Sequence, residues 1–174
     1  HTAFINAFMP GPHGSRALAD VVFGRISPGG KLPYTMYDAA WVATTPMAEM
    51  DPAAPPGRTY RYRPDAADDD LVLWGFGHGL SFATFTHVLA SSASLPPLAA
   101  SASAAPTVSV TINVSRAATA FVGPADEVVL AFFEPDAHFG GPSAPLPLRR
   151  QLFDFQKVRL APGETKSMTF AISA

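Results

Sequence analysis

His13, Ser15 and Arg16 fall in a Gly/Pro-rich loop, Met9 to Arg16, between a short apolar run and an amphipathic segment. In open α/β sheets ligands gather beyond the carboxyl ends of strands, so this strand-to-helix loop is the place where a substrate would be faced. An ordinary solvent-exposed loop histidine is nevertheless the plainer expectation for His13 than a proton-transfer group. The 14 Asp and Glu residues are the other source of acid–base chemistry. They are dispersed: Asp20 in a helical segment, Asp126 and Glu127 at a strand start, Glu164 in a turn, Asp51, Asp65 and Asp68-Asp69-Asp70 in an irregular stretch. No pair reads as a catalytic dyad, and no catalytic residue is assigned. The Asp68 to Asp70 run is expected to be a solvated loop tip, because a Ca²⁺ loop of the EF-hand kind needs alternating ligands and a Gly. His78, His87 and His138 have no metal-ligand spacing, and the absence of cysteine excludes thiolate zinc sites and thiol nucleophiles. No metal and no cofactor is expected.

Charge narrows the partners. Only 15% of the 174 residues are charged and the formal net charge is −2, so no electrostatic surface for nucleic acid or anionic lipid is offered. The densest basic pair, Arg149-Arg150, reads as two solvated arginines. No apolar run approaches the ~20 residues that span a bilayer. Nucleic acid and membrane are both set aside. At 48% hydrophobic residues the chain has ample material for a packed core. Its start, His1-Thr2-Ala3-Phe4, has neither a basic n-region nor an initiator Met, and reads as a cut inside a longer chain.

Eighteen prolines and thirteen glycines divide the chain into two halves of different character. Thr2 to Phe8 reads as a buried strand ending at a turn cluster. Ser15 is expected to cap a helix whose apolar face is Ala17, Leu18, Val21 and Val22, with Gly24 stopping it. Gly29 and Gly163 suit turns, and Lys31 to Tyr37 alternates Leu32, Tyr34 and Met36, with Pro33 arguing for an edge position. An irregular strap follows from Asp38 to about Asp70.

The second half reads as all-β. Strands are expected over Ser81 to Val88, Thr107 to Val114, Glu127 to Phe133, Leu152 to Leu160 and Lys166 to Ile172. An Ala/Ser/Pro stretch from Ser91 to Pro106 separates the first of these from the rest. Short strands at this spacing describe a fibronectin- or immunoglobulin-type sandwich, although the lack of a Cys pair argues against a true immunoglobulin core. Asn113-Val114-Ser115 is a formal N-glycosylation sequon within a strand.

Three ordered stretches carry a family resemblance. Pro10-Gly11-Pro12-His13-Gly14-Ser15-Arg16 leads through Ala17-Leu18-Ala19-Asp20-Val21-Val22-Phe23-Gly24 to Gly29-Gly30-Lys31-Leu32-Pro33-Tyr34-Thr35. Gly57-Arg58-Thr59-Tyr60-Arg61-Tyr62 is followed by Phe76-Gly77-His78-Gly79-Leu80-Ser81. Asp126-Glu127-Val128-Val129-Leu130 is followed by Gln151-Leu152, Phe155-Gln156-Lys157-Val158 and Pro162-Gly163-Glu164. In this order they resemble the C-terminal part of glycoside hydrolase family 3. Trp41-Val42, Pro46-Met47 and Met50 look most like its β-xylosidase and α-arabinofuranosidase branch.

The resemblance implies that residues 1–78 are the end of an α/β domain with its connecting strap. Residues 79–174 would then form a fibronectin-III-like β-sandwich, incomplete at its last strands. It implies a parent that hydrolyses oligosaccharide or polysaccharide by a retaining mechanism, which uses two carboxyl groups ~5 Å apart, and an extracellular or secretory localisation. In the family those carboxyls lie upstream of the segments matched here. Ser15 stands where a second Gly is usual, and His13 and Arg16 replace commoner polar residues. Arg58, Tyr60 and Tyr62 are expected to pack the strap onto its neighbours, and Phe76, Phe82 and Phe85 to form an interdomain core. A stand-alone glycan-binding module, for which Phe132, Phe133 and Phe139 are the candidate platform, and a pseudoenzyme are the alternatives.

Overall fold

The β-half is organised by strand alternation. The computed structural model describes residues 3–63, 69–91, 107–135 and 148–173. Asp65, Asp68, His138, Phe139 and nearly all of the Ala/Ser/Pro stretch lie outside the described residues. Strand β3 (Phe85–Ser91) pairs antiparallel with β4 (Thr107–Arg116), which pairs antiparallel with β7 (Thr165–Ser173). Strand β5 (Asp126–Phe133) pairs antiparallel with β6 (Gln151–Arg159) in a second sheet. Val114 of β4, Val129 of β5, Leu160, and Met168 and Phe170 of β7 are buried together. Because these side chains come from both sheets, the sheets face each other across one core, and each such burial contributes about 2 kcal/mol. Gln156 Nε2 crosses from β6 to the Thr169 carbonyl of β7 at 2.7 Å, and the turn into β7 is closed by the Glu164 N–H on Ala161 O.

Arg116 closes one end of the sandwich. Its buried guanidinium donates to the carbonyls of Leu160 (2.8 Å), Phe121 (2.7 Å) and Gly123 (3.1 Å). These bonds tie the β4–β5 connection to the end of β6.

The first half is held differently from expectation. Helix α1 (Gly14–Val22) starts one residue before Ser15, with His13 at its N-cap and no side-chain cap bond. Gly24, at φ +69°, follows its end. Ala3 to Phe8 forms no strand and is exposed. A buried strand needs neighbours on both sides, and no described strand lies beside it. The apolar face of α1 is uncovered for the same reason: no residue of the helix is buried. Of Lys31 to Tyr37 only β1 (Met36–Tyr37) is a strand, paired antiparallel with β2 (Val72–Trp74). The strap contains two single turns of helix, α2 (Trp41–Thr44) and α3 (Thr59–Tyr62).

Several contacts weld this half to the sandwich. Buried Ser27 accepts the Phe82 N–H (2.9 Å), shares a hydrogen bond with Ser81 (2.8 Å), and donates its own N–H to Pro124 O (3.0 Å). Gly29 serves close approach rather than a turn: a Cβ there would lie 2.8 Å from the Asp126 carbonyl oxygen.

Candidate functional site

The His13 loop is exposed on the first turn of α1, and neither His13, Ser15 nor Arg16 is buried. The three are adjacent through local chain geometry, and no described carboxylate is bonded to them. The carboxylates form ion pairs elsewhere. Asp126 takes a bidentate contact from Arg159 (2.6 and 3.2 Å) and a second cation, Lys157 (2.8 Å). The Arg159 hydrogen bond, against some desolvation, brings its pKa down to about 2. Glu164 is lowered by the Ala161 N–H and by Lys166. Asp20 pairs with Arg25 at 3.0 Å. A group serving as general acid near neutrality needs a raised pKa, and the carboxylates shifted here are shifted downward.

Asp69 corrects the expectation of a solvated acidic tip. Its carboxylate is paired with the buried Arg63 guanidinium and also accepts the Leu71 N–H at 3.0 Å. The Arg63 hydrogen bond holds its pKa below the usual carboxylate range. Asp70 is exposed.

The strap meets the sandwich in an aromatic junction. Tyr60 stacks on Phe76 with ring centroids 4.3 Å apart, and both meet Phe132 edge-on at 5.6 and 6.1 Å. The Tyr60 hydroxyl accepts the Leu152 N–H (3.3 Å), and Arg61 Nη2 donates to Gln151 Oε1 (3.1 Å). The Arg150 guanidinium lies 4.9 Å from the Phe132 centroid, so it is a junction residue rather than a solvated one. Tyr60 packs as expected of the strap motif, whereas Phe85 joins the sandwich core and Phe82 is exposed beside Phe121. Phe132 is therefore committed to the junction, and it is not an open sugar platform.

Beside the junction lies a cleft of about 360 Å³ lined by Tyr34, Thr35, Tyr37, Trp41, Arg58, Thr59, Arg61 and Phe76, among others. Tyr37 and Trp41 stack at 4.4 Å. Sequence reasoning did not assemble this cleft. Its one local signal was the spacing of Tyr37 and Trp41, four residues apart.

Two antiparallel sheets packed on one core thus meet a short helical segment through an aromatic junction. Residues 1–82 match the Glycosyl hydrolase family 3 C-terminal domain, and the chain belongs to glycoside hydrolase family 3. It is 46% identical over 93 residues to Beta-D-xylosidase 1 of Arabidopsis thaliana, covering 52% of this chain and 11% of that protein. Beta-glucosidase cel3A of Pyricularia oryzae is 32% identical across 98% of this chain and 24% of its own length. The crystal structure of the Bifidobacterium adolescentis family 3 β-glucosidase superposes on 91% of this chain and 22% of its own, with TM-score 0.64 and 30% identity. The chain thus spans between a tenth and a quarter of these relatives.

Proposed function

We propose that this chain is the non-catalytic C-terminal part of a retaining, secreted β-xylosidase-like glycosidase acting on xylan-type oligosaccharides. In this reading residues 1–78 finish the α/β domain with its strap, and residues 79–174 form a fibronectin-III-like module that braces it. The observation that carries the reading is the 46% identity to a plant β-D-xylosidase over 93 residues, against 32% to a fungal β-glucosidase over 179 residues. Two physical features support it. The Tyr60, Phe76 and Phe132 rings join the two halves. The pKa-shifted carboxylates, meanwhile, are lowered by hydrogen bonds and cationic partners rather than poised as acids. His13, Ser15 and Arg16 are proposed as a substrate-facing edge of the α/β domain, without a covalent or proton-transfer role.

The test is turnover. The purified chain should not hydrolyse aryl β-xyloside or aryl β-glucoside, whereas the product of the reading frame extended upstream of His1 should hydrolyse the xyloside preferentially. Turnover by the chain alone, abolished by replacing one of its own carboxylates, would falsify the non-catalytic reading. Preference of the extended product for the glucoside would refute the branch.

A further inference from the structure

We propose that the cleft lined by Thr35, Tyr37, Trp41, Thr59 and Arg61 is a glycan subsite that seats neutral pyranosyl units of a β-linked oligosaccharide. Three residues that line it each carry a buried side-chain atom without a hydrogen-bond partner: Thr35 Oγ1, Trp41 Nε1 and Arg61 Nε. Buried polar groups are nearly always paired, and an unpaired one carries its full desolvation cost. The cleft, at about 360 Å³, falls within the ~300–1,000 Å³ typical of small-molecule sites.

A third observation is the backbone of Thr59. It lies at φ +60°, a left-handed conformation that is a genuine outlier for a β-branched residue. The Thr59 N–H donates to the Tyr37 hydroxyl at 2.9 Å, which pins the strained residue against the aromatic wall. Strain of this kind persists where surrounding structure over-determines it, commonly at ligand sites.

The donor set selects the ligand class. A pyranose presents an apolar C–H face to aromatic rings and hydroxyls that both donate and accept; Tyr34, Tyr37 and Trp41 supply the rings. One nitrogen of each lining guanidinium is engaged elsewhere, Arg58 Nη2 on Pro46 O (2.8 Å) and Arg61 Nη2 on Gln151 (3.1 Å). The unpartnered buried atoms of the lining, an indole N–H, a hydroxyl and the guanidinium Nε–H of Arg61, form a mixed donor and acceptor set that matches sugar hydroxyls. Reaching them takes side-chain adjustment of the ordinary kind on binding.

The inference rests on the glycosidase reading only for the choice of sugar. The test is titration of the purified chain with xylotriose, followed by ¹H–¹⁵N NMR. The Trp41 indole resonance should shift saturably while that of Trp74 stays still. Thr35→Val should weaken binding about tenfold, the loss of one hydrogen bond to the sugar, while its thermal midpoint is unchanged or raised, because a buried unpaired hydroxyl has been removed. Trp41→Phe, read through the Thr59 and Arg61 amides, should weaken binding similarly. The proposal is overturned if Trp41 does not shift at tens of millimolar xylotriose, if both variants bind as wild type, or if glucuronate displaces the trisaccharide. Binding without turnover by the extended protein would sink the catalytic reading alone, and turnover without binding would sink the subsite alone.

Discussion

Lys31 Nζ donates to Glu127 Oε1 at 3.0 Å, linking residues 96 positions apart across the junction of the two halves. Glu127 is buried at the start of β5, and its second neighbour is His87 Nε2 at 3.5 Å. Removing one partner of a buried pair strands the other charge, whereas replacing both with apolar groups is often close to neutral. Lys31→Met is therefore expected to destabilise the chain by about 2–3 kcal/mol, less than for a fully buried pair because Lys31 keeps some exposure. Lys31→Met with Glu127→Met should recover most of that loss. Urea unfolding of the two variants measures both; equal destabilisation would contradict the pairing argument.

Tyr60 tests how the strap is anchored. Tyr60→Ala removes the stack on Phe76 and the edge contact with Phe132, and an aromatic truncation of this kind costs about 3 kcal/mol. Tyr60→Phe keeps the rings together and loses only the bond from Leu152, about 1 kcal/mol. Hydrogen exchange should show the Ala variant losing protection first around residues 57–63, with the β4 amides protected until global unfolding.

Arg116 is a buried cation whose described hydrogen-bond partners are carbonyls rather than a carboxylate. Its fork reaches both the Leu160 carbonyl and the Phe121–Gly123 turn, a geometry that a lysine ammonium cannot reproduce. Arg116→Lys and Arg116→Met should both lose about 3 kcal/mol, since several charge-assisted bonds are broken in each. Rescue of stability by lysine in a thermal melt would show that charge, not the planar fork, is what matters.

What was legible in the sequence tracks how each element is stabilised. Strand β4 alternates Val108, Val110, Ile112 and Val114 because it is the central strand of a sheet with one buried face, and that pattern is written locally. The residues Thr2 to Phe8 carry the same apolar signal, yet the described part forms no strand, since apolar character cannot say whether neighbours are present. Strand β2 is three residues long, and its pairing with Met36 and Tyr37 is a long-range event that no local pattern announces. Asp69 was lost inside an acidic run because its partner, Arg63, becomes visible only when the strap folds back. The cleft was hidden for the same reason: Thr35, Trp41 and Arg61 share no periodicity.

Exposed apolar surface predicts association. Phe4, Phe8, Val22 and Phe23 are exposed by 68, 61, 60 and 75%, and these residues flank or belong to the uncovered helix α1. Patches of this kind mark sites of association or aggregation. Light scattering of the purified chain should show a mass that rises with concentration, and Phe4→Ser with Phe23→Ser should reduce the rise. A monomer at high concentration would show that this surface is not sticky enough to matter.

Acid stability should report on Asp126. Its pKa is depressed to about 2 by the Arg159 hydrogen bond and by Lys157, against ~3.9 for an unfolded aspartate. A folded-state pKa below the unfolded one means that the unfolded state binds the proton more readily. The stabilisation is therefore complete above the unfolded value and drains away as pH falls toward the folded one. Asp69 and Glu164, both lowered, act in the same direction. Wild-type stability should fall between about pH 4 and pH 2. Asp126→Asn should be less stable at neutral pH and show a shallower fall through that window, because it has no proton to take up at this position. Parallel acid titrations of unfolding midpoints would decide it: identical slopes for the two proteins would mean that the Asp126–Arg159 contact does not persist in solution.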